Sequence, residues 1–312
     1  MDKNSQVNQL QTESGNDLTV VIPTHNRSQE LTRALDSLVA QTDSDFDVIV
    51  CDDGSTEDIA AVTRNYAETL RLRLLRIEKS GGPGRARNLG IESAHTTWVS
   101  FLDSDDWWFP TRTEKVKASL TIEDDVVHHQ LQVEREDKNT DARPAYGSLL
   151  GAPLHVVDPV MHMIRFGNPL ATSATTVRRE LLLEIGGFDT AHDLIQDFDA
   201  WLRLANRGAR WKRIPEVLGA YWAGGDQLSK VNARQYQRYK NLFDHQLTLL
   251  PERYRVHAQS NFGYLLGSYA LQLGLPSAQD HFRQISFTKE PKLWCKAKLK
   301  QWRVKLQYLL KE

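Results

Sequence analysis

The sequence predicts an α/β fold in which a mostly parallel sheet is flanked by helices, followed by a helical C-terminal extension. Three observations predict it. Short β-branched runs alternate with amphipathic helical faces over residues 18–102, and each acidic or glycine-rich segment there falls just after such a run. Beyond about residue 230 the apolar spacing is helical throughout. Such alternation means parallel strands with helices covering both faces. In such sheets ligands bind outside the carboxyl ends of the strands, so the acidic and glycine-rich segments should meet in one crevice.

The elements follow in order. Thr19-Val20-Val21-Ile22 is a β-branched run stopped by Pro23, hence a buried strand. Asn26 is the expected N-cap of a helix whose apolar face carries Leu31, Leu35, Leu38 and Val39. Phe46 to Val50 forms a second strand running into Cys51-Asp52-Asp53-Gly54. Ser55 with Asp58 reads as a capping box for a helix bearing Ile59, Val62, Tyr66 and Leu70. Leu72 to Ile77 is a third strand, the loop Ser80-Gly81-Gly82-Pro83-Gly84 follows, and Ala86 to Ala94 is a short helix. The fourth strand, Trp98 to Leu102, stops at Asp103-Ser104-Asp105-Asp106. Further on, Val126 to Val133 and Ala174 to Val177 read as strands, with a polar loop over Glu134 to Tyr146. Helix Arg179 to Ile185 is ended by Gly186-Gly187, and helix Gln196 to Asn206 presents Phe198, Trp201, Leu202 and Ala205 on one face.

Composition sets outer bounds. Of 312 residues, 40% are hydrophobic and 25% charged, enough apolar mass for one large core or two modest ones. A net charge of −1 gives no global field toward nucleic acid, so no nucleic-acid partner is expected. Cys51 and Cys295 suggest neither a disulfide nor a metal cluster, which fits a reducing, cytoplasmic setting. No apolar stretch approaches the ~20 residues that span a bilayer. Residues 1–17 are polar, with no basic start or apolar middle, and read as a disordered leader.

Four segments carry chemistry. Asp103 and Asp105 stand two residues apart at a strand end, where both carboxylates can turn to one point. Mg²⁺ or Mn²⁺ typically takes one or two carboxylates plus substrate phosphates. Asp52-Asp53-Gly54-Ser55 also follows a strand, where an aspartate can accept hydrogen bonds from a nucleobase or ribose. The loop Gly81-Gly82-Pro83-Gly84 opens into Arg85-Ala86-Arg87, and backbone N–H groups beside guanidinium forks favour phosphate. Asp197 opens a helix, either as a residue compatible with the helix dipole or as a general base.

These segments occur in a fixed order: Val21-Ile22-Pro23-Thr24-His25-Asn26-Arg27, Asp52-Asp53-Gly54-Ser55, Ala86-Arg87-Asn88-Leu89-Gly90 and Asp103-Ser104-Asp105-Asp106. Gly186-Gly187-Phe188-Asp189 and Asp197-Phe198-Asp199-Ala200-Trp201-Leu202-Arg203-Leu204 follow. Together they resemble family 2 glycosyltransferases of the GT-A (Rossmann-like) fold over residues 18–229. The resemblance implies a nucleotide-binding part at about 18–106 and an acceptor part at about 107–229. Residues 230–312 are the helical extension. By position, Pro23, Thr24, His25, Arg27 and Asp53 should line the nucleobase pocket, with Arg87 near the phosphates. Asp103 and Asp105 should hold the ribose and a diphosphate-bound Mn²⁺ or Mg²⁺, with Asp106 assisting. Asp197 matches the family's general base, and Gly187, Phe188 and Trp201 fall on the acceptor side. The implied reaction is inverting transfer of a sugar from a nucleotide-diphosphate donor to a glycan or lipid-linked glycan hydroxyl. Its expected setting is cell-surface glycan synthesis (lipopolysaccharide, capsule or exopolysaccharide).

The chain departs from the family in three places. His25 stands where a base-stacking Tyr is common, Gln196 replaces a common Glu, and Tyr221-Trp222-Ala223 replaces a more basic stretch. These departures support an alternative, a GT-A module that binds nucleotide-sugar or glycan without transfer. A nucleotidyltransferase or a dinucleotide-dependent dehydrogenase would need glycines after the first strand, and Pro23-Thr24-His25-Asn26-Arg27 has none. In the extension, Gln235-Tyr236-Gln237-Arg238-Tyr239 reads as a packing helix. A basic amphipathic tail occupies 291–312, with Leu299, Trp302, Leu306, Leu309 and Leu310 on one face among lysines. It fits either a membrane-surface anchor on the inner face or a helix docked on the body or a partner.

Overall fold

The computed structural model describes residues 17–78, 81–135, 149–150, 157–192, 195–224 and 232–309. The expected leader lies outside the described residues, except for Asp17, and so does most of the expected 134–146 loop. The chain divides into two units. The first is Met1–Ala152, Leu170–Gly187 and Arg210–Ala223; the second is Pro153–Pro169, Phe188–Ala209 and Gly224–Glu312.

The first unit is built on one sheet. Its opening half is β1 (Leu18–Thr24), β2 (Asp47–Asp52), β3 (Arg71–Arg76) and β4 (Trp98–Phe101), all parallel in the order β3-β2-β1-β4. Every residue of β1 is buried, because both sheet faces are covered and a continuous apolar run is what such a strand needs. β3 is the edge, and its exposed Arg71, Arg73 and Arg76 discourage pairing with another chain. Helices α1 (Ser28–Val39), α2 (Ile59–Arg64) and α3 (Pro83–Ser93) connect these strands. Leu31, Leu35 and Leu38 of α1 join Val20, Ile22, Val48 and Val50 in the main core. On the other face α3 comes so close that a Cβ on Gly90 would lie 2.4 Å from Val21 Cγ1. Strand order reverses between β1 and β4, and that switch point is where such sheets open a crevice.

The second half of the sheet is mixed. It comprises β5 (Trp107–Trp108), β6 (Val126–Glu134), β7 (Leu149–Leu150), β8 (Thr175–Arg178) and β9 (Trp211–Trp222). β8 lies antiparallel between β4 and β6, β9 runs parallel to β6, and β5 closes antiparallel on β9. Helix α4 (Arg112–Ser119) follows β5, and α6 (Arg179–Glu184) follows β8.

Several sequence expectations are corrected locally. Asn26 does not cap α1: Arg27 occupies that position without a side-chain cap. Asn26 instead takes a left-handed φ of 50°, and its Oδ1 accepts the Thr56 N–H at 2.7 Å, tying the loop after β1 to the loop after β2. Asp58, not Ser55, caps α2 by accepting the Ala61 N–H at 2.9 Å. Helix α2 ends at Arg64, so Tyr66 and Leu70 reach the core from the turn beyond it. Val39 is exposed. β9 went unread because Pro215 interrupts it; the ladder to β6 is irregular there, which is where a strand tolerates proline.

The second unit is helical among its described residues: α5 (Pro159–Phe166), α7 (Gln196–Asn206), α8 (Ala233–Leu249), α9 (Glu252–Gln272), α10 (Ala278–Arg283) and α11 (Pro291–Leu309). Phe243 of α8 stacks on Phe262 of α9 at 3.8 Å, and Tyr236 Oη lies 2.7 Å from His281 Nε2. Glu290, just before α11, accepts from His257 Nδ1 at 2.7 Å and Arg165 Nη2 at 2.9 Å. Among the described residues no helix is long and apolar enough to cross a membrane.

Candidate active site

The ends of β1, β2 and β4 deliver the expected residues of the first unit to one edge. After β1, Thr24 is buried and its hydroxyl has no hydrogen-bond partner, while His25 turns outward with Nδ1 2.8 Å from the Asp53 carbonyl oxygen. Pro23 is buried within β1. At the end of β2 the two aspartates divide their work. Asp52 is wholly buried, accepting from the Ser55 N–H at 2.9 Å and from Arg76 Nη1 at 2.5 Å. Asp53 points to the glycine-rich loop and accepts the N–H groups of Gly81 at 2.9 Å and Gly82 at 2.8 Å. The loop that looked suited to phosphate is thereby held on Asp53.

Beyond β4 the acidic segment splits in the same way. Asp103 and Asp105 are partly exposed, and each carries a guanidinium: Arg87 donates to Asp103 at 2.5 Å, and Arg27 donates to Asp105. Burial and the neighbouring Asp103 charge raise the pKa of Asp105 above the usual carboxylate range. Asp106 is different. It is 1% exposed, its Oδ1 accepts the Trp222 N–H at 2.9 Å and its Oδ2 accepts the Ser173 hydroxyl at 2.5 Å. Burial, then Asp103 and Asp105, push its pKa well up. Asp106 therefore braces the segment from behind. Ser173 also accepts the Asp103 N–H at 3.0 Å, and its carbonyl accepts Trp108 Nε1 at 2.8 Å. Sequence reasoning missed Ser173, since nothing in its surroundings distinguishes it from any buried serine.

Among the described residues no three His, Cys, Asp or Glu side chains are grouped to hold a metal by themselves. The donor set still suits a hard divalent cation. Asp103 and Asp105 are two partly exposed carboxylates balanced by guanidinium groups, and Mg²⁺ or Mn²⁺ completes such a set with phosphate oxygens.

Gly187, the second glycine after α6, has φ 69°, and a Cβ there would lie 2.4 Å from Asn88 Oδ1. Glycine thus fits the close approach of this turn to α3. Within the second unit, Asp197 lies in the first turn of α7, half-buried, with Oδ2 accepting from Asn168 Nδ2 at 2.8 Å. Asp199, two residues on, is fully buried and committed to Gln246 at 2.6 Å and Arg203 Nε at 2.7 Å. Burial, then Tyr269 and the Asp197 carboxylate, raise the pKa of the Tyr239 phenol. Phe188 and Trp201, expected on the acceptor side, pack edge to face at 5.9 Å and are 1% and 0% exposed. Their rings are buried core.

Comparison with known proteins bears on the family and the fold. The family described as Glycosyl transferase family 2 matches residues 19–169. An uncharacterized glycosyltransferase of Haemophilus influenzae is 27% identical over 60% of this chain, the match spanning 61% of that protein. The uncharacterized glycosyltransferase YwdF of Bacillus subtilis is 30% identical over 80% of this chain and 89% of its own length. The amylovoran biosynthesis glycosyltransferase AmsE of Erwinia amylovora is 28% identical over 70% and 80%. Among solved structures, S. aureus TarS in complex with UDP superposes with TM-score 0.59 at 19% identity, covering 90% of this chain and 78% of that one. The mannosyltransferase PcManGT from Pyrobaculum calidifontis, in complex with GDP-Man and Mn²⁺, gives 0.56 at 21% identity over 94% and 85%. The two structural likenesses carry the GT-A fold, with helices following it, and the sequence relatives carry the activity. This chain belongs to glycosyltransferase family 2 and is a glycosyltransferase.

Proposed function

We propose that the protein transfers a sugar from a nucleoside-diphosphate sugar to an acceptor hydroxyl with inversion, in the assembly of a cell-surface glycan. The acceptor is then a glycan or lipid-linked glycan. The observation that carries the reading is the pair Asp103 and Asp105 at the sheet's switch point, partly exposed and each on a guanidinium. The amylovoran role in the name of AmsE and the nucleotides bound by TarS and PcManGT support the setting and the donor class.

On this reading Asp103 and Asp105 would hold a divalent cation, which when bound would supply Lewis-acid stabilisation to the diphosphate. Arg27 and Arg87, already at those carboxylates, add charge-assisted donors for the same phosphates. The buried Thr24 hydroxyl and His25 offer polar groups to the base, with Asp53 fixing the glycine-rich loop beside them. Asp197 takes the acceptor proton while the acceptor oxygen bonds to the anomeric carbon. The bond from that carbon to the diphosphate oxygen breaks with its electron pair, so one displacement inverts the centre.

Titration calorimetry of UDP, GDP, dTDP and CMP, with and without Mn²⁺, tests the donor half. One diphosphate should bind only with metal, and Asp105→Ala should weaken it by at least tenfold, about 1.4 kcal/mol. Absence of binding under every condition would leave a non-transferring module as the better account.

We also assign the tail to the membrane surface, on the inner face. Leu299 is 50% and Trp302 58% exposed, flanked by exposed Lys292, Lys296 and Lys298. Opposite them Ala297 is buried, and Lys300 Nζ donates to Ser268 of α9 at 2.8 Å. The helix thus docks by one side and leaves an apolar stripe rimmed by lysines, which suits an anionic lipid surface. The protein should sediment with phosphatidylglycerol vesicles and not with phosphatidylcholine, and Leu299→Glu/Trp302→Glu should abolish this. Equal sedimentation of that double variant would refute the assignment.

A further inference from the structure

Arg33 has no part in the chemistry above, yet its half-buried side chain reaches the acidic segment. It leaves α1 and sits against two indoles, its guanidinium carbon 4.3 Å from the Trp107 ring centre and 5.0 Å from that of Trp222. The rings stand 6.4 Å apart at 47°, one on β5 and one at the end of β9. From there Nη2 donates to the main-chain carbonyl of Asp105. The segment is held elsewhere through Asp106, by Ser173 on one oxygen and by the Trp222 N–H on the other. Arg33 holds the Asp105 main chain, where Arg27 holds its carboxylate.

We infer that Arg33 is a positioning residue: seated against Trp107 and Trp222, it anchors the Asp105 peptide so that the Asp103 and Asp105 carboxylates are presented together. The inference rests on the reading of that pair as the cation and diphosphate site. Two like charges on a short loop repel, and an unanchored loop would part them. Arginine suits the task because its planar fork stacks on aromatic faces while still donating along its edge. Lysine keeps the charge but loses the stacked, directed geometry.

The test begins without ligand. Hydrogen–deuterium exchange of the Asp105–Trp108 amides should speed up at least tenfold in both Arg33→Met and Arg33→Lys, with β1 and β4 amides unchanged. Mn²⁺-dependent binding of UDP, GDP or dTDP, whichever the wild type binds, should weaken in parallel. Unchanged exchange in Arg33→Met overturns the inference, as does full recovery in Arg33→Lys, which would mean a point charge suffices. Faster exchange with unaltered nucleotide affinity also overturns it, since the anchoring would then not serve the site. If the wild type binds none of the three nucleotides, the donor reading fails by itself, and the exchange data still decide whether Arg33 anchors the segment.

Discussion

Asp197→Asn is expected to lower turnover by about 10²–10⁴-fold, the range that general base catalysis supplies, while Mn²⁺-dependent nucleotide binding stays as in the wild type. The variant isolates the chemistry because asparagine keeps the shape and still offers an oxygen to Asn168 Nδ2. Asp199 provides the contrast. It is fully buried with Arg203 and Gln246 on its two oxygens, so Asp199→Asn leaves a charged group facing a neutral partner and should destabilise by about 3 kcal/mol or more. Steady-state kinetics with thermal melts of both variants separates the roles. Asp197→Asn should melt normally and turn over slowly, whereas Asp199→Asn should melt early. Near-normal transfer by Asp197→Asn would place the base elsewhere.

The contrast between Asp197 and Asp199 shows where the sequence was legible. The strands of the first half were readable because each is a short apolar run with turn residues after it, and α7 because Phe198, Trp201, Leu202 and Ala205 repeat at helical spacing. The carboxylates were readable as types at strand ends. What could not be read was which of two neighbouring acids is spent on the structure. Asp52, Asp106 and Asp199 look like their neighbours Asp53, Asp105 and Asp197 in the chain, yet the first three are buried on structural partners, as Asp53 is on the Gly81 and Gly82 N–H groups, while Asp105 and Asp197 stay partly exposed. The same holds for Phe188 and Trp201, which packing takes into the core. Arg33, Ser173 and Asn168 carried no signal, because their carboxylate and carbonyl hydrogen-bond partners lie 29 to 72 residues away in sequence.

Acid should destabilise the first unit earlier than its carboxylates would. His128 and His129 on β6 are each 1% exposed. Both ring nitrogens of His128 lack partners, and burial, then Arg213, pushes its pKa down to about 4. His129 must be neutral with the proton on Nδ1: Nε2 accepts from Arg112 Nε at 3.3 Å, leaving Nδ1 to donate to the Gln130 carbonyl at 3.0 Å. Burial, then Arg112, sets its pKa well below the usual value. Arg112 is itself wholly buried on the Trp108 ring at 3.6 Å, so a second cation beside it is strongly disfavoured. Because folding depresses both values, the unfolded chain binds more protons below its ordinary histidine pKa of about 6.5. Stability is therefore whole above pH 6.5 and falls as pH drops toward 4, by about 3 kcal/mol from His128 alone at 1.36 kcal/mol per unit. Carboxylates with ordinary or lowered values titrate mostly below that window, so the loss between pH 6.5 and 4.5 belongs to buried histidine. His128→Leu removes two unpartnered nitrogens, and should leave stability at pH 7 equal or higher while flattening the slope in that window. Urea unfolding at half-unit steps from pH 7.5 to 4.5 measures this directly. An unaltered slope in His128→Leu would mean that the acid sensitivity resides in other groups.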